Sequence, residues 1–264
     1  MLLYSMSSSN SICVVITVFN EEHHIVECIQ NAQKLTKNII VVDTESTDDT
    51  VKLARSLGVP VYSFPYKRYV EPSRNFAIGH AKADWIFILD ADERFSDDLI
   101  KEIHEVVSQT KHSYFKVGRN NIFAGTWPLA HGGWDTDAII RLIRRRDFIS
   151  WPSNIHSTPE IKGSEGLLKH PLDHHFHPNL ENMVSKTALF EDMESQLLFD
   201  AKRRVSVPIF FRKFFGELYR RLFKKQGYKD NTPGVIEAVY QAYSKTVTYL
   251  YLYEKYLNKK GTSL

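Results

Sequence analysis

Unbroken apolar runs recur through the first half of the chain, and each stops at polar side chains. Ile12 to Phe19 (ICVVITVF) ends in Asn20-Glu21-Glu22, Asn38 to Asp43 (NIIVVD) ends in a carboxylate, and Trp85 to Leu89 (WIFIL) ends at Asp90-Ala91-Asp92-Glu93. Runs without alternation predict strands covered on both faces, the habit of a parallel sheet. Between them the period changes to that of helices. Ile25, Cys28, Ile29 and Ala32 share one face of a helix ending near Leu35. Ser46-Thr47-Asp48-Asp49 predicts a capped helix to about Leu57, with Ser46 and Asp49 at capping-box spacing and Gly58 as its stop. Val59 to Phe64 adds a short strand, and Pro72 suits the first turn of a helix holding Arg74, Asn75, Phe76 and Ala77. Ser96 caps a helix with Leu99, Ile103, Val106 and Val107 inward. Strand and helix alternate, which predicts right-handed βαβ units around a parallel sheet.

The pattern changes beyond about Ser113. Tyr114 to Val117 and Ala138 to Ile143 are strand-like and separated by loops bearing Gly and Trp; helical periodicity returns at Leu180. The expected division is residues 1–178, made of a parallel half to about 110 and a mixed half 111–178, followed by a helical tail 179–264. From Lys202 to Lys225 the tail interleaves Arg203, Arg204, Arg212, Lys213, Arg220, Arg221 and Lys224 with Phe210, Phe211, Phe214, Phe215, Leu218, Leu222 and Phe223. Glu217 is the only acid there. Such a basic amphipathic segment, with Pro208 at its start, suits a membrane interface; a helix packed on its neighbours with a solvated basic face has the same pattern. Val235 to Tyr256 is a further helix, whose tyrosines fit an interface, a packed helix pair or a homodimer.

Composition narrows this little. The 264 residues are 43% hydrophobic and 25% charged, ordinary for a globular chain, and a net charge of +3 is too small to argue for nucleic acid. Cys13 and Cys28 lie in apolar surroundings and are expected to be small core residues. The first ten residues lack a basic stretch followed by an apolar one, and no window reaches about 20 uninterrupted apolar residues, so the expected compartment is the cytoplasm.

The chemistry gathers at strand ends. In open α/β sheets ligands sit outside the carboxyl ends of the strands, where this chain places Asn20 and Glu21, Asp43, and Asp90 with Asp92. Alternation would send the Asp90 and Asp92 side chains the same way, an arrangement comfortable with a cation between them; hard oxygen ligands suit Mg²⁺ or Mn²⁺ with phosphate oxygens completing the shell. An acidic loop before the Ser96 helix is the alternative. Asp43 can accept from a base N–H or a ribose hydroxyl, or, with Ser46, merely cap a helix. Phe19 offers a stacking face, and the planar guanidinium of Arg74 suits a diphosphate. Neither GxGxxG nor GxxxxGK[ST] occurs. His170, His174, His175 and His177 invite a zinc reading, but without cysteines or an acidic partner at suitable spacing a hydrogen-bonded structural cluster is expected.

VVITVFNEE, VVDTESTDDT, EPSRNFAI and FILDADE, followed by HGGWDTDAIIRLIRR, IHSTPE, the His174/His175 region and GYKDNTPG, resemble the family 2 inverting glycosyltransferases over nearly the whole chain. Within that family the sequence looks like the branch that adds sugars to lipopolysaccharide cores and related surface glycans. The resemblance implies an α/β, GT-A (Rossmann-like) nucleotide-diphospho-sugar transferase fold with a C-terminal helical extension. Residues 1–110 would be the nucleotide-binding half and 111–178 the acceptor half. It also implies a nucleotide-sugar donor, usually a UDP-sugar, and Mg²⁺ or Mn²⁺. Donor contacts would fall to Thr17, Val18, Phe19, Glu21, Asp43, Ser46, Arg74 and Asp90, and metal contacts to Asp90, Asp92 and His156. An inverting transfer needs a base for the acceptor hydroxyl and an electrophile for the leaving diphosphate. Asp137 is the first candidate for the base, Asp135 the second and Glu160 the third, while Trp134 could stack on a sugar. The chain departs from the family pattern at three places: Asp135-Thr136-Asp137 replaces Tyr-Pro-Asp, Ile139 replaces Gln, and Ser157 replaces Glu. The implied partners are the donor, a lipid-linked or glycan acceptor and the inner face of the cytoplasmic membrane, touched peripherally. A catalytically silent nucleotide-sugar or glycan-binding protein is the alternative.

Overall fold

The computed structural model describes residues 11–134, 138–154, 157–176 and 180–259. In chain order its elements are β1 (Ile12–Val18), α1 (Ile25–Leu35), β2 (Ile39–Asp43), α2 (Thr50–Ser56), β3 (Val61–Ser63), α3 (Glu71–His80), β4 (Trp85–Asp90), β5 (Glu93–Phe95), α4 (Asp97–Gln109) and β6 (Tyr114–Phe123). There follow β7 (Trp127–Leu129), β8 (Ala138–Arg144), β9 (Phe148–Ser150), β10 (Glu160–Ile161), β11 (Glu165–Leu167), β12 (Leu172–Phe176), α5 (Leu180–Asp200), α6 (Val207–Tyr219) and α7 (Asn231–Lys259). The chain forms two compact units: Met1–Arg119 with Ala138–His174, and Asn120–Asp137 with His175–Leu264.

In the first unit β3, β2, β1 and β4 run parallel, and β8 joins β4 antiparallel. The unalternating runs have the predicted cause. Val14, Ile16 and Val18 pack with Ile25, Ile29, Leu99 and Ile103 from α1 and α4 on one face. Cys13 and Val15 pack with Ala77 and Ile78 of α3 on the other. Each fully buried aliphatic side chain contributes roughly 1.5–3 kcal/mol, so both faces hold the strands. The register levels the strand ends: Val18 lies opposite Asp43, Thr17 opposite Asp90, and Asp43 opposite Ser63.

The second unit is mainly helical. Buried Glu191 on α5 accepts from the Ser244 and Thr248 hydroxyls of α7, and Lys255 pairs with Asp192 at 2.7 Å. The buried side of α7 includes the small residues Gly234, Ala238 and Ala242, which let its neighbours approach. Among the described residues no helix is long and apolar enough to cross a membrane.

Three local expectations meet the structure directly. Ser96 Oγ accepts from Leu99 N at 3.2 Å, Pro72 sits in the first turn of α3, and both cysteines are buried thiols. Ser46, however, does not cap α2. That helix begins at Thr50, whose amide donates to Asp48 Oδ1 at 3.0 Å, while Ser46 Oγ accepts from Asn20 N at 2.9 Å. A carboxylate two residues before the first turn outcompetes a hydroxyl for the leading amide. The helical tail expected from 179 also shares its unit with Asn120–Asp137.

Candidate active site

The carboxyl ends of β1 and β2 are stitched together before any ligand is considered. Asn20, at φ +53°, turns the chain out of β1, and its side-chain oxygen accepts from Thr47 N at 2.8 Å. Glu21 N donates to Thr50 Oγ1 at 2.8 Å. Asp43 is buried at the end of β2, with its two oxygens 3.2 and 3.3 Å from Ser46 N. Phe19 stacks on Tyr66, with ring centroids 4.2 Å apart and planes at 27°. Thr17 Oγ1 is buried, and no partner for it is found among the described residues.

At the end of β4 the carboxylates are already neutralised by side chains. Asp90 Oδ1 accepts from Arg74 Nη2 at 2.8 Å, and Oδ2 accepts from Arg141 Nη2. Arg141 Nη2 also donates to fully buried Glu93 at 2.6 Å, and Arg119 lies 3.6 Å from the same carboxylate. Burial disfavours charge on Asp90, yet Arg141 and Arg74 hold its carboxyl well below the usual range. Burial pushes the Glu93 carboxyl up, with Arg141 opposing. Burial also works against the charge of Arg141, and Asp90 and Glu93 more than restore it. The expected cation between Asp90 and Asp92 is therefore replaced, on the Asp90 side, by two guanidiniums. Alternation ends with β4 at Asp90, so the two aspartates do not continue one strand face. Three donors in this region, Arg74 Nε, Arg74 Nη1 and Arg141 Nε, are buried without partners among the described residues. The Arg74 guanidinium lies 5.4 Å from the Trp151 ring centroid.

Asp92 Oδ2 lies 3.6 Å from His174 Nε2. β12 pairs antiparallel with β5, and that pairing carries His174 to this edge. The histidine cluster thus does have an acidic partner, supplied from far away in the chain. The carboxylate is a fit donor for Mg²⁺ or Mn²⁺ beside phosphate oxygens, while the imidazole is a poor partner for Mg²⁺ and favours the transition metal of the two. Among the described residues no three metal-ligating side chains gather, so protein groups alone do not complete a shell. His156, Asp135 and Asp137 lie outside the described residues. Glu160 is exposed on the β9–β10 ribbon, where it accepts from Ser150 Oγ at 3.1 Å.

In the second unit, Trp134 is packed rather than presented. The Arg221 guanidinium lies 5.5 Å from its ring centroid and the Phe176 ring 4.8 Å.

Sequence reasoning missed Arg141, His174 as the neighbour of Asp92, Tyr66 and Trp151. For Arg141 a signal existed: a cation inside the apolar run AIIRLI must find a buried counter-charge.

A parallel α/β sheet with level, polar strand ends defines a nucleotide-binding class of fold. The model of the family described as "Glycosyl transferase family 2" matches residues 13–160. The chain belongs to this family of inverting glycosyltransferases, which use nucleotide sugars. An uncharacterized glycosyltransferase of Rickettsia typhi is 28% identical over 200 residues, 71% of this chain and 68% of the relative. Another, of Rickettsia conorii, is 22% identical over 272 residues, 97% of this chain and 94% of the relative. The crystal structure of S. aureus TarS 1–349 in complex with UDP-GlcNAc superposes with a TM-score of 0.50 at 11% identity, covering 96% of this chain and 92% of that TarS fragment. That likeness shows the shared α/β, GT-A-like fold with long C-terminal helices.

Proposed function

We propose that this glycosyltransferase takes its sugar from a UDP-sugar, uses Mg²⁺ or Mn²⁺, and delivers to a lipid-linked or surface-glycan acceptor of the cell envelope. The observation that carries the donor side is the set of buried polar atoms near the level strand ends without partners among the described residues, Thr17 Oγ1 and Arg74 Nε and Nη1. Buried donors without partners are costly, and a nucleotide diphosphate supplies the missing acceptors. In this reading Phe19, backed by Tyr66, stacks on the base. Val18, Glu21 and Asp43 read the base and ribose, with Ser46 holding the Asp43 loop. Asp90 serves as the anchor that aims Arg74 and Arg141. Asp92 and His174 would hold the metal, with His156 as the further candidate ligand, and the ion would supply charge neutralisation for the leaving diphosphate.

Asp137 removes the proton of the acceptor hydroxyl, with Asp135 and Glu160 as the lesser candidates. The envelope acceptor is supported by α6. Val207, Phe211, Phe215, Tyr219 and Phe223 recur every four residues and are all exposed, from 53% at Phe211 to 70% at Val207. Arg212, Lys224 and Lys202–Arg204 are exposed in the same segment. An apolar ridge flanked by cations fits the surface of an anionic membrane.

Calorimetric titration with UDP tests the donor side. Binding is expected with Mg²⁺ or Mn²⁺, and to be lost with EDTA or in Asp92→Ala. Asp137→Asn should keep that binding while transfer falls about 10²–10⁴-fold, the usual contribution of a positioned base. Affinity indifferent to EDTA removes the metal from the reading. UDP binding without transfer to any acceptor leaves a silent binding protein.

A further inference from the structure

Asp92 and His174 come from distant stretches of the chain and meet through one short strand. Asp92 lies in the turn between β4 and β5. His174 lies on β12, whose pairing with β5 sets His174 opposite Glu93 and Asp173 opposite Arg94. The spacing of the two donors is therefore only as fixed as β5 and the turn before it. β5 has three residues and stands at the end of the strand order, beside β12, so its ladder alone is a weak restraint.

Arg94 supplies a stronger one. Its guanidinium is largely buried and closes on three backbone carbonyls. Nη1 donates to Ala91 O at 2.6 Å and to Glu93 O at 2.9 Å, and Nη2 donates to His24 O at 3.2 Å. Ala91 and Glu93 are the neighbours of Asp92 on either side, and His24 immediately precedes α1. One side chain thus grips the turn around Asp92 and ties it to a helix of the same unit. Glu27, exposed and 3.5 Å from Nη2, adds little to the hold. The turn is also closed by Glu93, whose Oε2 accepts from Asp90 N at 3.1 Å. A separate link joins α1 to β5 one residue further on. Asn31 Nδ2 donates to Phe95 O at 3.0 Å, and Phe95 N donates to Asn31 Oδ1 at 2.7 Å. That link holds the strand and leaves the turn to Arg94.

We infer that Arg94 is a positioning residue for the metal: it fixes the turn that carries Asp92 against His174. The inference rests on the proposed metal role of those two side chains. Arginine suits the task because its planar fork of donors can satisfy several carbonyls at set angles, whereas the lysine ammonium is one flexible point. Groups that orient a metal ligand typically change metal affinity about 10–100-fold when lost. Charge and position make opposite demands here. A guanidinium beside a cation site repels the cation, so on charge alone its removal would tighten metal binding. If its work is to hold Asp92 in place, its removal weakens metal binding instead.

The test follows Mn²⁺ uptake by the full-length protein in the presence of UDP, read by electron paramagnetic resonance with UDP alone as the blank. Arg94→Gln is expected to weaken Mn²⁺ binding about 10–100-fold, and Arg94→Lys to restore part of the loss. Asn31→Ala breaks the neighbouring link and should lower the urea midpoint while leaving Mn²⁺ affinity close to the parent's. Mn²⁺ affinity in Arg94→Gln equal to or tighter than the parent's refutes the positioning role. So does an equal fall in Asn31→Ala, which would mark general loosening of β5. Should Arg94→Gln fail to fold, the same comparison is read from Arg94→Lys, which keeps the charge and the long stem. Parent protein that takes up no Mn²⁺ with UDP present overturns the metal reading of Asp92 and His174 itself, a result distinct from parent and variants that bind Mn²⁺ alike.

Discussion

The two units handle polarity in opposite ways. In the first, charge is drawn inward and paired: Asp90, Glu93, Arg74, Arg141 and Arg119 form one network beneath the strand ends, and Ile149 and Leu167 are the large hydrophobics left exposed among the described residues. In the second, exposed hydrophobics recur along α5, α6 and α7, from Val184 to Tyr253, while a carboxylate is buried nearly alone. Glu237 is 2% exposed; its Oε1 accepts from Gln241 at 2.7 Å and its Oε2 has no partner among the described residues. A parallel sheet sandwiched by helices satisfies itself. The helices leave an outward apolar ridge and one buried carboxylate oxygen unmatched among the described residues.

The sharpest way to break this contrast is to open the paired network. Arg141→Met removes the shared partner of Asp90 and Glu93 and should cost about 3–5 kcal/mol in urea unfolding, as expected when one member of a buried ion pair is deleted. A change near zero would mean that Arg74 and Arg119 suffice and that the first unit is not so tightly paired.

The opposite result is expected in the second unit. Burial pushes the Glu237 carboxyl up to about 7, against Gln241 and Arg221. An acid raised above its unfolded value, about 4.3, keeps its proton in the folded state where the unfolded chain has lost it. Stability is then full below the unfolded value and declines as pH rises from it through the folded one, by about 4 kcal/mol in total. Glu237→Gln should remove that decline, so its urea midpoint at pH 8 should exceed the parent's while the two differ far less near pH 5. Parallel pH profiles would show that Glu237 ionises without cost.

The smallest effect on stability, about 0.5 kcal/mol or less, is expected from Phe211→Ser with Phe215→Ser, since both rings are exposed. Binding to anionic vesicles at low salt should nevertheless weaken, and salt should weaken it further, each nearby cation being worth about 1 kcal/mol. A parent protein that never sediments with such vesicles would assign the ridge to another surface, a second copy of the chain included.

Much of this architecture could be read from local pattern. β1, β2 and β4 announced themselves because burial on both faces abolishes alternation, and Ser96 capped α4 because a hydroxyl just before an apolar-periodic run has few other tasks. What escaped was non-local. Asp90 meets Arg141 only because β8 enters the sheet antiparallel beside β4, and Asp92 meets His174 only because β12 pairs with β5. No spacing rule encodes such pairings. Ser46 misled for a local reason, since the better acceptor, Asp48, stood two residues along. The candidate base and His156 fall outside the described residues, and their roles rest on the proposals above.

The two thiols give the molecule an internal clock. Cys13 and Cys28 are its only cysteines, both are buried in the first unit, and burial raises both, Cys13 to about 11. Neither presents a thiolate to a reagent while the sheet is closed, so alkylation proceeds only as fast as that sheet opens. The helical unit carries no cysteine, so this clock is read from the first unit alone.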